Sequence, residues 1–162
     1  MTPLIVLVAT ALLARLAGRL GVVALQHWAA ATRVGLAVML SVTAAAHFNS
    51  MRADLVRMVP PAIPNPEFMV TFTGVCEVLG AIGLLIPRTR RLAAVALILF
   101  LIAVLPANIH AARSELTLNG GPVTPLWPRV ALQIVFISLV WWSGIRPDAR
   151  SGASAAAPIG RG

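Results

Sequence analysis

Five apolar runs separated by arginine-bearing breaks constrain this 162-residue chain more than any other feature. They extend from about Pro3 to Ala17, Arg33 to Phe48, Phe68 to Ile86, Leu92 to Leu105 (continuing past Pro106 toward Arg113) and Trp127 to Ser143. Several fall short of the roughly 20 residues that cross a bilayer without tilt, so flanking helical turns must supply the difference. The chain is 59% hydrophobic and 11% charged, against about a quarter charged in a soluble domain. So few charges cannot cover a water-facing globule. A disordered chain and an ordinary cytosolic enzyme are excluded with it. The expected fold class is all-α, a polytopic transmembrane helix bundle.

All thirteen basic residues besides histidine are arginines, and they lie in the breaks between runs. A net charge of +8 would suggest nucleic acid in a soluble chain. This placement instead suits topology and lipid headgroups, so the expected partner is the lipid bilayer and not nucleic acid. With five spans, Arg15, Arg19, Arg33, Arg88, Arg90, Arg91, Arg146, Arg150 and Arg161 share one side. Arg52, Arg57, Arg113 and Arg129 share the other. The richer side should be cytoplasmic, which puts the N-terminus outside and the C-terminus inside. The first run has no basic residue before it, the reverse of a secretory signal, and reads as an anchoring helix. Trp127 at one end of the last run and Trp141 and Trp142 at the other fit interfacial aromatic belts.

The breaks differ in character. Pro87-Arg88-Thr89-Arg90-Arg91 is a tight turn that makes antiparallel neighbours of the third and fourth runs. Met51, Leu55, Met58 and Val59 recur at helical spacing opposite Arg52, Asp54 and Arg57, which predicts a short helix lying in the headgroup plane. The proline-rich stretch from Pro60 to Pro66 should be extended. Asn119-Gly120-Gly121-Pro122 signals a turn, and the Ala/Ser/Gly-rich tail from Pro147 onward should be disordered.

Glu77 is the sharpest chemical feature, an acid inside an apolar run. Counted from Phe68, it lies about 14 Å below the outer boundary, near the midplane. Facing lipid would cost it several kcal/mol, so it should face the bundle. At 100° per residue, Gly74, Glu77, Gly80 and Ala81 share one third of the helix circumference, and small residues there let a neighbouring helix come close. His47 closes the second run about 9 Å below the outer boundary, and Gln133 in the fifth run lies at a similar depth. Pro106 should kink the fourth run and leave the Ile102 carbonyl without its usual donor. Asn108 and His110 follow it, and Arg129 opens the fifth run.

Glu77, His47 and His110 spread over roughly 12 Å of depth on straight helices. A metal needs all its donors within about 2.2 Å of one ion, so no metal site is expected. A graded, outward-facing polar pocket of Glu77, His47, Asn108, Gln133, His110 and Arg129 fits better. Against it stand plainer roles: a neutral structural acid at Glu77, and headgroup anchoring at His110 and Arg129. Cys76, the sole cysteine, points about 100° away from Glu77 and reads as inert packing. His27 beside Trp28 reads as interfacial. No nucleophile elbow, phosphate-binding loop, dinucleotide fingerprint or HExxH motif occurs.

Several of these pieces together resemble the DoxX-like family of small bacterial membrane proteins. They are Ala46-His47-Phe48, Gly74-Val75-Cys76-Glu77-Val78-Leu79-Gly80 with Gly83-Leu84-Leu85-Ile86-Pro87, then Phe100 to Leu105, Pro106-Ala107-Asn108-Ile109-His110, Arg129 to Gln133, and Trp141-Trp142. The resemblance covers about Arg33 to Ser143. It implies a four-helix DoxX-like core over residues 33–145, preceded by an N-terminal transmembrane helix and cytoplasmic linker (1–32) and followed by a cytoplasmic tail (146–162). The family takes its name from a membrane subunit of a thiosulfate:quinone oxidoreductase. The expected function is an accessory or binding component whose pocket takes a small lipophilic ligand such as a quinone, without stand-alone activity. The chain supplies no cofactor of its own, a bound quinone being the one implied, and other membrane or redox proteins are the implied partners. A quinone-linked oxidoreductase subunit and a small-solute or proton transporter are the alternatives, the latter weakened by the single intramembrane acid and the lack of repeats.

Overall fold

The computed structural model describes residues 2–114, 117–118, 121–122 and 124–146. Helix α1 spans Thr2–Arg19, α2 Trp28–Ala46, α3 Arg52–Met58, α4 Pro66–Leu85, α5 Arg90–Ala103, α6 Leu105–Arg113 and α7 Leu126–Val140. A π-helical turn, Trp141–Ile145, continues α7, and a two-residue ladder pairs Thr117 with Pro122 and Leu118 with Gly121. Taking α5 with α6 and α7 with the π turn, five helical stretches of 18 to 24 residues are long and apolar enough to cross a membrane. Each is longer than the apolar run that announced it. The protein is a multi-pass membrane protein by helix length and hydropathy, and its fold is all-α. The Asn119–Pro122 turn falls partly, and the tail from Pro147 wholly, outside the described residues.

The helices approach one another most closely at small residues. A Cβ at Gly35 would lie 2.7 Å from the Leu7 carbonyl oxygen and 3.0 Å from the Ala11 Cβ, so α1 and α2 touch almost backbone to backbone. Gly80 of α4 meets Leu97 of α5, and Gly83 meets Ala93. Gly144 in the π turn meets Ala94. In lipid, where tails are as apolar as leucine, such close approach and the dispersion contacts it allows hold helices together. Leu36, Leu40, Leu84, Leu97 and Val140 fill the centre. Their counterparts Leu13, Leu79, Leu92, Leu99 and Ile134 point outward and are more than half exposed. An apolar exterior of that extent is a liability in water and the expected surface against acyl chains.

Two local details depart from the sequence expectations. The stretch from Pro60 to Pro66 turns instead of running extended: the Ile63 N–H closes on the Pro60 carbonyl at 2.9 Å. Asn65 then adopts a left-handed conformation (φ 53°) at the start of α4, which asparagine tolerates better than most residues. Arg33, expected only as a boundary residue, is 8% exposed and donates through Nη1 to the Ser143 carbonyl at 2.7 Å. That bond ties the start of α2 to the π turn at the end of the bundle opposite α3.

Candidate functional site

Glu77 faces the bundle, and the glycines on its stripe explain how. Gly74, one turn earlier on α4, approaches α2 so closely that a Cβ there would lie 2.7 Å from the His47 Cβ. That approach sets the Glu77 carboxyl beside the His47 ring, with Nδ1 and Oε2 3.8 Å apart and both side chains 13% exposed. The separation is too long for a direct hydrogen bond. His47 Nδ1 instead lies 3.2 Å from the Thr43 carbonyl. A carbonyl can only accept, so this contact requires the proton on Nδ1 and leaves Nε2 of a neutral ring as an acceptor. Glu77 Oε2 has no hydrogen-bond partner.

Arg129 and Gln133 occupy the first two turns of α7. Arg129 donates through Nη1 to Asn108 Oδ1 at 2.9 Å and through Nε to the Thr124 carbonyl at 3.0 Å. Gln133 is 8% exposed and donates through Nε2 to the Leu101 carbonyl. The helix breaks where Pro106 places it, at Val104 between α5 and α6. The carbonyl that recruits a side chain is Leu101's, one residue before the expected Ile102.

These residues meet in one cavity of about 880 Å3, within the range of about 300–1,000 Å3 typical of small-molecule sites. Glu77, His47, Asn108, Arg129 and Gln133 all line it. His110 does not. It lies two residues beyond Asn108, hence about 200° around the helix, and its Nδ1 lies 3.4 Å from Ser114 Oγ. The grouping expected from depth alone therefore loses its outermost histidine.

The walls come from every long helix. Thr2 and Pro3 of α1, Met39 and Thr43 of α2, Met69 and Thr73 of α4, Phe100 of α5 and Phe136 of α7 contribute. The apolar stripe Met51, Leu55, Met58 and Val59 also lines the cavity. The short helix expected there is α3, and it turns its apolar stripe toward the cavity and roofs the site. Arg52 fastens that roof, donating to the His47 carbonyl at 3.0 Å, the Glu67 carbonyl at 3.0 Å and Thr71 Oγ1 at 2.9 Å. Neither the roof nor its fastening was expected from sequence, although the helical spacing of the stripe was visible there.

Residues 36–144, about two-thirds of the chain, match a protein-family profile described as a domain of unknown function (DUF8561). The chain belongs to the DUF8561 family. No curated protein and no solved structure matches it. Glu77, His47, Asn108, Arg129 and Gln133 all fall inside the DUF8561 region, whereas α1 and the first turns of α2 precede it.

Proposed function

We propose that the chain is a non-enzymatic binding component of the membrane, whose cavity takes a small lipophilic molecule such as a quinone. One observation carries this reading: a ligand-sized cavity, walled by methionine, leucine and phenylalanine, gathers Glu77, His47, Asn108, Arg129 and Gln133 from four helical segments. Apolar walls with a few convergent polar groups are the usual make-up of small-molecule sites. Thioether side chains repack around ligands of varied shape, and Met39, Met51, Met58 and Met69 all face this space. The resemblance to DoxX-like proteins, one of which is a subunit of a quinone-reducing enzyme, agrees with a quinone. The arginine bias supports an orientation with the N-terminus outside, the C-terminus inside and the cavity toward the outer face, and the resemblance to DoxX-like proteins supports a bacterial inner membrane.

A second reading is favoured by the juxtaposition of Glu77 and His47. An acid and an imidazole 3.8 Å apart on the wall of a quinone site could exchange protons as the quinone is reduced by a partner subunit. The chain would then be the membrane subunit of a quinone-linked oxidoreductase.

The test is direct binding. Protein purified in a mild detergent should take up decylubiquinone, and Glu77→Gln should weaken that uptake. Absence of uptake by the intact protein removes the quinone, and unchanged uptake by Glu77→Gln moves the site away from the acid. For the second reading, membranes lacking the protein should lose a substrate-dependent quinone reduction; no loss eliminates it.

A further inference from the structure

Arg129 is the only arginine on the cavity wall, and no carboxylate pairs with it among the described residues. Its two protein partners, the Asn108 amide oxygen and the Thr124 carbonyl, are neutral. They aim the guanidinium without cancelling its charge. A guanidinium carries five N–H donors in a planar fork, so the group retains donors beyond the two that these bonds occupy. Among the described residues Glu77 is the only acid on the same wall, and it sits against His47 rather than against Arg129. Among the described residues the cavity thus carries a cation without a counterion at one place and a long apolar surface elsewhere. A charge within a membrane-spanning segment is costly unless it is paired.

We infer that the cavity holds the oxyanion head of a lipophilic molecule at Arg129, its apolar body lying along Leu55, Met58, Phe100 and Leu132. A carboxylate, a phosphate or an ionised ring hydroxyl on an apolar body meets this description, and the last would suit a hydroxylated quinone. A planar fork recognises such oxygens in pairs, which a lone neutral carbonyl does not exploit. The inference rests on the cavity being a ligand site, as proposed above, and narrows the class of ligand. The same chemistry has two sources, a free lipophilic acid and the phosphate of a membrane phospholipid.

Delipidated protein in an uncharged detergent is titrated with radiolabelled laurate and, in parallel, with dodecanol, which has the same chain length without the charge. The expected result is laurate binding about tenfold tighter or more, the gain of one charge-assisted pair. Arg129→Gln should bring laurate down to the level of dodecanol, and Arg129→Lys should keep part of the preference. Competition by dihexanoylphosphatidylglycerol assigns the position to a phospholipid phosphate, and failure to compete assigns it to a free acid. Equal binding of acid and alcohol to the unaltered protein overturns the inference, a comparison that needs no variant to fold. So does an undiminished preference in well-folded Arg129→Gln. Decylubiquinone uptake that depends on Glu77, with no preference for the acid, would leave the proposed function standing and remove this inference alone. Uptake of none of the probes removes both.

Discussion

His47 Nδ1 lies 3.8 Å from Glu77 Oε2 and 3.2 Å from the Thr43 carbonyl, so the imidazole is held by the backbone of its own helix while facing the acid without bonding it. A structural ion pair would close that gap, because an unpaired acid within the bundle is costly. The open distance leaves Oε2 unpartnered, so that oxygen adds no hydrogen bond to the packing around it. Replacing it should therefore cost little stability.

Glu77→Gln should leave the thermal midpoint of the detergent-solubilised protein unchanged or raised while reducing ligand uptake. Replacing an ionisable carboxyl whose Oε2 lacks a partner relieves a desolvation penalty of about 1–3 kcal/mol. The paired readout is a melting curve and a binding isotherm on the same preparation. A midpoint lowered by several degrees with unaltered uptake would make Glu77 a packing residue.

Gly74→Ala should be the most disruptive single-methyl change at the site. The new Cβ would lie 2.7 Å from His47 Cβ and 2.9 Å from Phe48 Cε2, so α2 and α4 must separate or His47 must swing away. Overpacking of this kind costs about 1–3 kcal/mol. Thermal unfolding should show the loss, and ligand affinity should fall with it. Gly21→Ala makes a poor control despite its open surroundings, because its φ of 116° is strained for any side chain.

Gln133→Leu should destabilise the junction of α5 and α6. The Gln133 amide supplies a donor to the Leu101 carbonyl just before the break at Val104. Without it a half-buried carbonyl loses a partner, a loss of about 1 kcal/mol. Hydrogen exchange should quicken through residues 100–108 and not in α2. Uniform exchange along the chain would show that the bond is incidental.

Arg52→Ala should loosen the roof without unfolding the bundle. Three acceptors lose the Arg52 guanidinium at once, on α2's end, α4's first turn and the Thr71 hydroxyl. Exchange and proteolysis should rise between residues 51 and 66, with ligand leaving faster and the melting midpoint little changed. Protection as slow as in the unaltered protein would mean that the apolar face of α3 suffices to hold it.

The spans were legible because crossing a bilayer leaves a one-dimensional signal: a run of apolar residues bounded by arginines needs no partner to be recognised. The facing of α4 was legible too, since Gly74, Glu77, Gly80 and Ala81 share a stripe by rotation alone. The structure buries Gly74, Gly80 and Ala81. What could not be read was which stripes converge. An amphipathic segment such as Met51 to Val59 has the same periodicity whether it meets headgroups or a cavity, and only the surrounding helices decide. Depth placed His110 with the other polar groups, but rotation about α6 carries it off the wall. Arg33 was read by charge, and its bond to Ser143 depends on a π turn that no local pattern announced.

Thr2 and Pro3 complete the cavity, although the profile that defines the family begins at residue 36. Chains that share the recognised segment can therefore inherit the same polar cluster while presenting a different flank to whatever occupies it. Selectivity among relatives would then be set by a helix outside the shared signature, and assigning a ligand to one of them would not carry it to the next.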